Sequence, residues 1–460
     1  MPESASQRVA RALERLQATE TSVRAYVHVD ADGALAAAES ADATGSGGGL
    51  HGLPFAVKEV IEVAGVPTSG GSRVLADHIG EVDATVVRRL RAAGAVLVGT
   101  QVSHELTCGL DQPPTRNPWD VARYPGGSSA GGGVSVAVGS AHFALGTDAA
   151  GSVRIPGAMT GVVGLKPTAG LVSSHGVVRG ATAPSIDHVG VLARSVGDAA
   201  AVLGVIAGPD PADAASLTAS PAVSTAEALG RVGASIEGTR LAVLGPATQA
   251  ALDDRVPPER DVVEAVHAAY RQLQELGATL VPIELPTLVH STRAIVTLFS
   301  TELAAAHRRL LARKHQVYHP AVGAMLAGAL ETPAEEIAHA VDLRTRLRQE
   351  VAGSFRTAEI EALVSPTTPR AAMPLDGFDP GEELGTLIGY TCPFNLTGQP
   401  AVSVPCGFTS EGMPVGLQVV GPQFGESQIL TVAAAYEQAT AWHDCYPGII
   451  TGAGTRPDRA

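Results

Sequence analysis

Lysine is almost missing from this chain of 460 residues: of its 32 basic side chains, only Lys58, Lys166 and Lys314 are lysines. Cysteine is scarce as well. Cys108, Cys392, Cys406 and Cys445 are scattered without C-x-x-C spacing, which argues against a structural zinc site and fits free thiols in a reducing cytoplasm. No stretch reaches the about 18 consecutive apolar residues that a membrane span needs. The N-terminus, MPESASQRVARALERLQATE, carries charges throughout and no apolar h-region, so it reads as a surface helix and not as a signal peptide. Blocks of basic residues are absent and the formal net charge is −14, which speaks against direct nucleic-acid binding.

What is present is apolar mass and turn formers. Hydrophobic residues make up 45% of the chain, with 52 glycines and 31 prolines, the composition of a globular protein with a large core and many tight turns. Residues 1 to 27 pattern as an amphipathic helix, followed by GSGGG at 45 to 49. LPFAVKEVIEV (53 to 63) alternates as a strand does, with Lys58 in its middle. Asp83 is the expected N-cap of ATVVRRLRAA, Gly94 its stop, and AVLVGT the next strand. This is the rhythm of a parallel sheet covered by helices. It returns in RDVVEAVHAAYRQLQEL, which stops at Gly277 and leads into ATLVPIEL. From Thr297 to Phe355 the pattern is mostly helical, and Thr332-Pro333-Ala334-Glu335 has the form of a capping box with proline at N1. VSPTTP (364 to 369), PAVSVPCGF (400 to 408) and PVGLQVVG (414 to 421) supply late strands, and 451 to 460 reads as a disordered tail.

Two places in YPGGSSAGGGVSVAVGSAHFALGTDAAGS (124 to 152) set a serine among glycines. Gly127-Ser128-Ser129-Ala130-Gly131 fits G-x-S-x-G with Ser129 as nucleophile, but an elbow needs an apolar strand before it, and the approach here, RNPWDVARYP, is polar and ends in proline. No Gly-Lys-Ser/Thr follows, so a phosphate loop is not indicated either. Ser152 has better surroundings. HFALG runs as a buried strand into Thr147-Asp148-Ala149-Ala150-Gly151-Ser152, and VRIPGAMTG opens a short helix after it. Small residues at a helix start leave backbone N–H groups free to hold the oxygen of a tetrahedral intermediate. The expected oxyanion hole is therefore the backbone of Ala149, Ala150, Gly151 and Ser152. A base is also needed. Lysine can lose its proton when desolvated and arginine cannot, so a lysine in an arginine-dominated chain is a candidate.

The run GGSSAGGG…GTDAAGSVRIPGAMTGVVGLKPT resembles the signature of the amidase signature family, in which a lysine, a first serine and a second serine 24 residues later form a Ser-Ser-Lys triad. Lys58 in GLPFAVKEV, Ser128 in GGSS and Ser152 in DAAGS match those positions. PTRNPWD, VSPTTP and NLTGQPAVSVPCGF…MPVGLQVVG extend the likeness over residues 50 to 440. The resemblance implies an α/β fold: one α/β/α domain over 1–450 with a central mixed twisted sheet, a helical excursion at 290–355, and a cis peptide bond before Ser128. It implies Lys58 as base, Ser128 as proton shuttle and Ser152 as nucleophile. Ser129, Asp148 and Arg154 are implied as supporting residues, the last two as an ordering pair, and Lys166 as structural; Lys314 reads as a surface residue. No metal or cofactor enters.

The function implied is hydrolysis of a small-molecule carboxamide or ureide by a cytoplasmic enzyme, alone or as a homodimer. The alternative is the A subunit of a glutamyl-tRNA amidotransferase, a glutaminase within a complex. Two departures bear on substrate choice. Ala150 stands where glycine is commoner, which is tolerable only at negative φ, and GTQVSHELTCG (99 to 109) replaces a lysine-threonine-asparagine pattern common in the family.

Overall fold

Eleven strands join one sheet in the computed structural model of the protein, which describes residues 3–45, 48–218 and 232–451. In chain order they are β1 (Tyr26–Val29), β2 (Pro54–Lys58), β3 (Val96–Gln101), β4 (Phe143–Asp148), β5 (Val163–Lys166), β6 (His188–Ala193), β7 (Arg240–Leu244), β8 (Thr279–Ile283), β9 (Ala362–Pro366), β10 (Ala401–Phe408) and β11 (Pro414–Val420). Across the sheet the order is β1-β3-β2-β4-β6-β5-β10-β11-β9-β7-β8. β2 runs parallel to β3 and β4, and β7 runs parallel to β8 and β9. The other neighbours are antiparallel, so the sheet is mixed. The strand–helix–strand rhythm falls on its two wings. Helix Thr85–Ala92 links β2 to β3 and helix Arg260–Glu275 links β7 to β8, because parallel neighbours need a crossover.

β2 does not alternate. All five of its residues are buried, since an interior strand is covered on both faces; Phe55 stacks on Phe143 of β4 with ring centroids 5.4 Å apart. The strand also stops at Lys58 instead of running on to residue 63. The lysine is thus at a carboxyl end and not mid-strand, at the edge where open α/β sheets hold their ligands.

Two expected caps are corrected. The helix Thr85–Ala92 has Ala84 as N-cap with no side-chain bond, and Asp83 instead accepts from the Ala64 N–H at 3.0 Å and from Arg91 at 2.8 Å, tying two loops together. Thr332 forms no capping box, because Pro333 is itself the N-cap of Ala334–Thr357 and has no N–H to close one. Gly94 and Gly277 do follow their helices in the left-handed region, at φ 83° and 92°. The N-terminal helix spans Ala5–Val23, and β1 and the helix Ala31–Thr44 come after it, before the glycine-rich stretch. That second helix buries only Ala34, Ala38 and Ala41, too small a stripe to stand out in the sequence.

Helices Ser291–Lys314, Pro320–Leu330 and Ala334–Thr357 make up the helical excursion. The side chain of Lys314, and the expected tail beyond Thr451, lie outside the described residues. Among the described residues no helix is long and apolar enough to cross a membrane.

Candidate active site

β2 and β4 are parallel neighbours, so they end at the same edge and bring Lys58 and Thr147 together. Lys58 Nζ lies 2.7 Å from Ser128 Oγ and 3.1 Å from Thr147 Oγ1. Ser128 reaches that point from the loop that enters the helix Ala130–Val138, after a cis Gly127–Ser128 peptide bond. Ser129 joins this loop to the next. Its N–H donates to the Ser152 carbonyl at 3.2 Å and its hydroxyl to the Thr147 carbonyl at 3.2 Å.

Asp148 ends β4 and organises the loop that carries Ser152. Its carboxylate accepts from the N–H groups of Gly151 (2.7 Å) and Val153 (3.2 Å), and from Nε (3.0 Å) and Nη2 (2.8 Å) of Arg154. Arg154 goes on to donate to the Thr391 carbonyl (2.9 Å), Gln418 Oε1 (2.6 Å) and Asn395 Oδ1 (2.6 Å). Both charges are fully buried, and this many partners is what a buried pair requires to be tolerated. Burial alone would raise the Asp148 carboxyl. The Arg154 guanidinium overrides it, with Lys166 and Asn395 adding to the effect, and holds the group well below the usual carboxylate range.

This arrangement corrects one expectation. The Gly151 N–H is engaged by Asp148 and is not free for an oxyanion, whereas among the described residues no protein acceptor meets the N–H groups of Ala149, Ala150 and Ser152. Ala150 is not among the positive-φ residues; Gly151 is, at φ 130°. The methyl group of Ala150 therefore replaces a glycine where no left-handed backbone is needed.

Lys58 is 1% exposed. Burial holds its pKa well below that of a free lysine, while the carboxylates of Asp187, Asp148 and Glu59 pull it back up. Asp187, just before β6, was not singled out in the sequence, because only the antiparallel pairing of β4 with β6 brings it near the lysine. Burial pushes its carboxyl up, against the pull of Lys58. Removing a negative charge removes a reason for Lys58 to keep its proton. Asp187→Asn is therefore expected to move the rising limb of the pH profile of kcat/KM to lower pH; a limb that stays put or moves upward contradicts this electrostatic role.

Lys166 is buried elsewhere, with its ammonium bonded to the carbonyls of Pro167 and Gln399. Ser128 and Ser152 instead share a narrow cavity of about 70 Å³. Thr107, Cys108, Tyr124 and Ala150 wall it from loops, Ile295, Val296 and Phe299 from the helix Ser291–Lys314, and Leu384, Leu387 and Ile388 from around the helix Pro380–Leu387. Among the described residues that line it, none carries a charge.

The amidase family model matches residues 7–430. The A subunit of the glutamyl-tRNA(Gln) amidotransferase of Myxococcus xanthus (strain DK1622) is 38% identical over 479 residues, covering 95% of this chain and 94% of that one. Native peptide amidase from Stenotrophomonas maltophilia is similar in structure with a TM-score of 0.81 at 30% identity, over 95% of this chain and 93% of that one. An inhibitor-bound chain from a vestigial complex linked to the origins of an s-triazine catabolic enzyme gives a TM-score of 0.86 at 29% identity, over 95% of both chains. The mixed sheet and these likenesses define the class, and the chain belongs to the amidase signature family. It is accordingly a hydrolase of C–N bonds.

Proposed function

We propose that the protein is an amidohydrolase that cleaves a small, uncharged carboxamide through an acyl-enzyme on Ser152. Neutral Lys58 takes the Ser128 proton, Ser128 takes that of Ser152, and Ser152 Oγ attacks the carbonyl carbon. As the C–N bond breaks, the proton returns through the two serines to the leaving nitrogen. Water then cleaves the ester, and the carboxylic acid leaves. The free N–H groups of Ala149, Ala150 and Ser152 are suited to hold the carbonyl oxygen as it becomes negative. The observation that carries this reading is the 2.7 Å contact between a buried lysine and Ser128, since a lysine kept from water is a base within reach of a proton. The cytoplasmic location expected from the sequence belongs to the same reading and is supported by the buried cysteines Cys108, Cys392 and Cys406, which stand outside any disulfide.

The names of the curated relatives favour a second reading, a glutaminase component of an amidotransferase complex. The lining of the cavity favours the first. Glutamine brings an ammonium and a carboxylate, and a buried charge without a partner is strongly disfavoured. The test is ammonia release by the purified chain alone from butyramide and from L-glutamine. The expected kcat/KM for butyramide exceeds that for glutamine by about 100-fold or more, as two missing charge partners imply. Glutamine preferred over butyramide, and only when partner subunits are added, is the result that would establish the second reading in its place.

A further inference from the structure

Asp111, His104 and Tyr124 form a chain of hydrogen bonds that the triad does not use, running inward from a half-buried carboxylate. Asp111 Oδ1 lies 3.2 Å from His104 Nδ1 and accepts from the Glu105 N–H at 3.0 Å, while His104 Nε2 lies 3.0 Å from the Tyr124 oxygen. His104 is wholly buried and Tyr124 is 4% exposed. A carboxylate only accepts, so the Asp111 end sets the direction of the chain. Assigned from that end, Nδ1–H donates to Asp111 and Nε2 accepts from the Tyr124 hydroxyl. The tyrosine oxygen keeps its lone pairs and, among the described residues, has no protein donor.

The chain ends beside the loop that carries Ser128. A Cβ placed on Gly127, the residue before Ser128, would fall 2.8 Å from the Tyr124 oxygen and 2.2 Å from His104 Nε2. Tyr124 and Gly127 line the same cavity as Ser128 and Ser152. The loop that carries His104 holds Leu106 and Thr107 at φ 48° and 58°, a disfavoured conformation for a β-branched residue of the kind that collects at functional sites. It is also the segment in which the sequence leaves the family pattern.

We propose that Tyr124 is a specificity residue: its oxygen accepts an N–H of the scissile carboxamide, with His104 and Asp111 as the residues that position it. The proposal rests on the amidase reading above. An amide satisfies the buried acceptor, and the ester of the same acid, having no N–H, leaves it unmatched.

The experiment compares kcat/KM for the primary amide and the methyl ester of one short acid, in wild type and in Tyr124→Phe. The amide-to-ester ratio is expected to fall about tenfold, the worth of one hydrogen bond. Disturbed packing would lower both substrates together, and an unchanged ratio overturns the proposal. Tyr124→Phe also strips His104 Nε2 of its partner, so the double variant His104→Leu, Tyr124→Phe repeats the test without an unpaired buried nitrogen. Its ratio is expected to match that of the single variant, and a wild-type ratio there overturns the proposal too. A wild type that cleaves neither substrate overturns the amidase reading itself, and this proposal with it.

Discussion

Lys58→Arg is expected to be nearly as inactive as Lys58→Ala, with kcat on an unactivated amide lowered by about 10²- to 10⁴-fold. The substitution keeps the positive charge, and that makes it informative. If Lys58 served only as a cation that anchors Ser128 and Thr147, guanidinium would replace it at least in part. A base needs a neutral form, and guanidinium has none at working pH. The environment of the lysine points the same way, because burial works against its charged form while Ser128 Oγ stands 2.7 Å from Nζ. Arginine is larger than the site it would enter, so an unchanged thermal transition must accompany any loss of rate. A folded Lys58→Arg enzyme with about a third of wild-type kcat would show that Lys58 is an anchor and not the base.

Ser128→Ala is expected to divide substrates by their leaving groups. An amide nitrogen must be protonated to depart, and in the proposed route that proton passes through Ser128, so turnover of amides should fall by about 10²- to 10⁴-fold. An activated ester expels a stable phenolate and needs no such delivery. Slow acylation by a nitrophenyl ester should therefore survive in the variant. Measurement of both substrates on one preparation decides the matter: equal loss on the two would make Ser128 a residue that shapes the loop, with no part in proton transfer.

How much of this was legible in the sequence depended on whether a signal was local. Lys58 stood out by rarity, and the strand, small-residue loop and helix around Ser152 lie within one short stretch, so neighbouring residues sufficed to find them. β2 misled because alternation marks strands with one solvated face, and this one has none. The engaged N–H of Gly151 was hidden because it depends on where the Asp148 carboxylate turns, and that turn is fixed by Arg154 together with Asn395, which bonds the carboxylate, and Gln418, which holds Arg154, the last two far from Asp148 in the chain. Asn395 lay inside a quoted motif without a role. Asp187 and Tyr124 act through sheet pairing and loop packing, which no spacing rule encodes.

Peptide mapping after reaction with a fluorophosphonate, a serine-directed electrophile, tests the account most directly, because every proposed step passes through a covalent bond to one oxygen. The expected result is a single adduct on the peptide containing Ser152, loss of amidase activity in step with labelling, and no labelling of Ser152→Ala. An adduct on Ser129, with Ser152→Ala still active on amides, would contradict the account and assign the chemistry to the other serine loop.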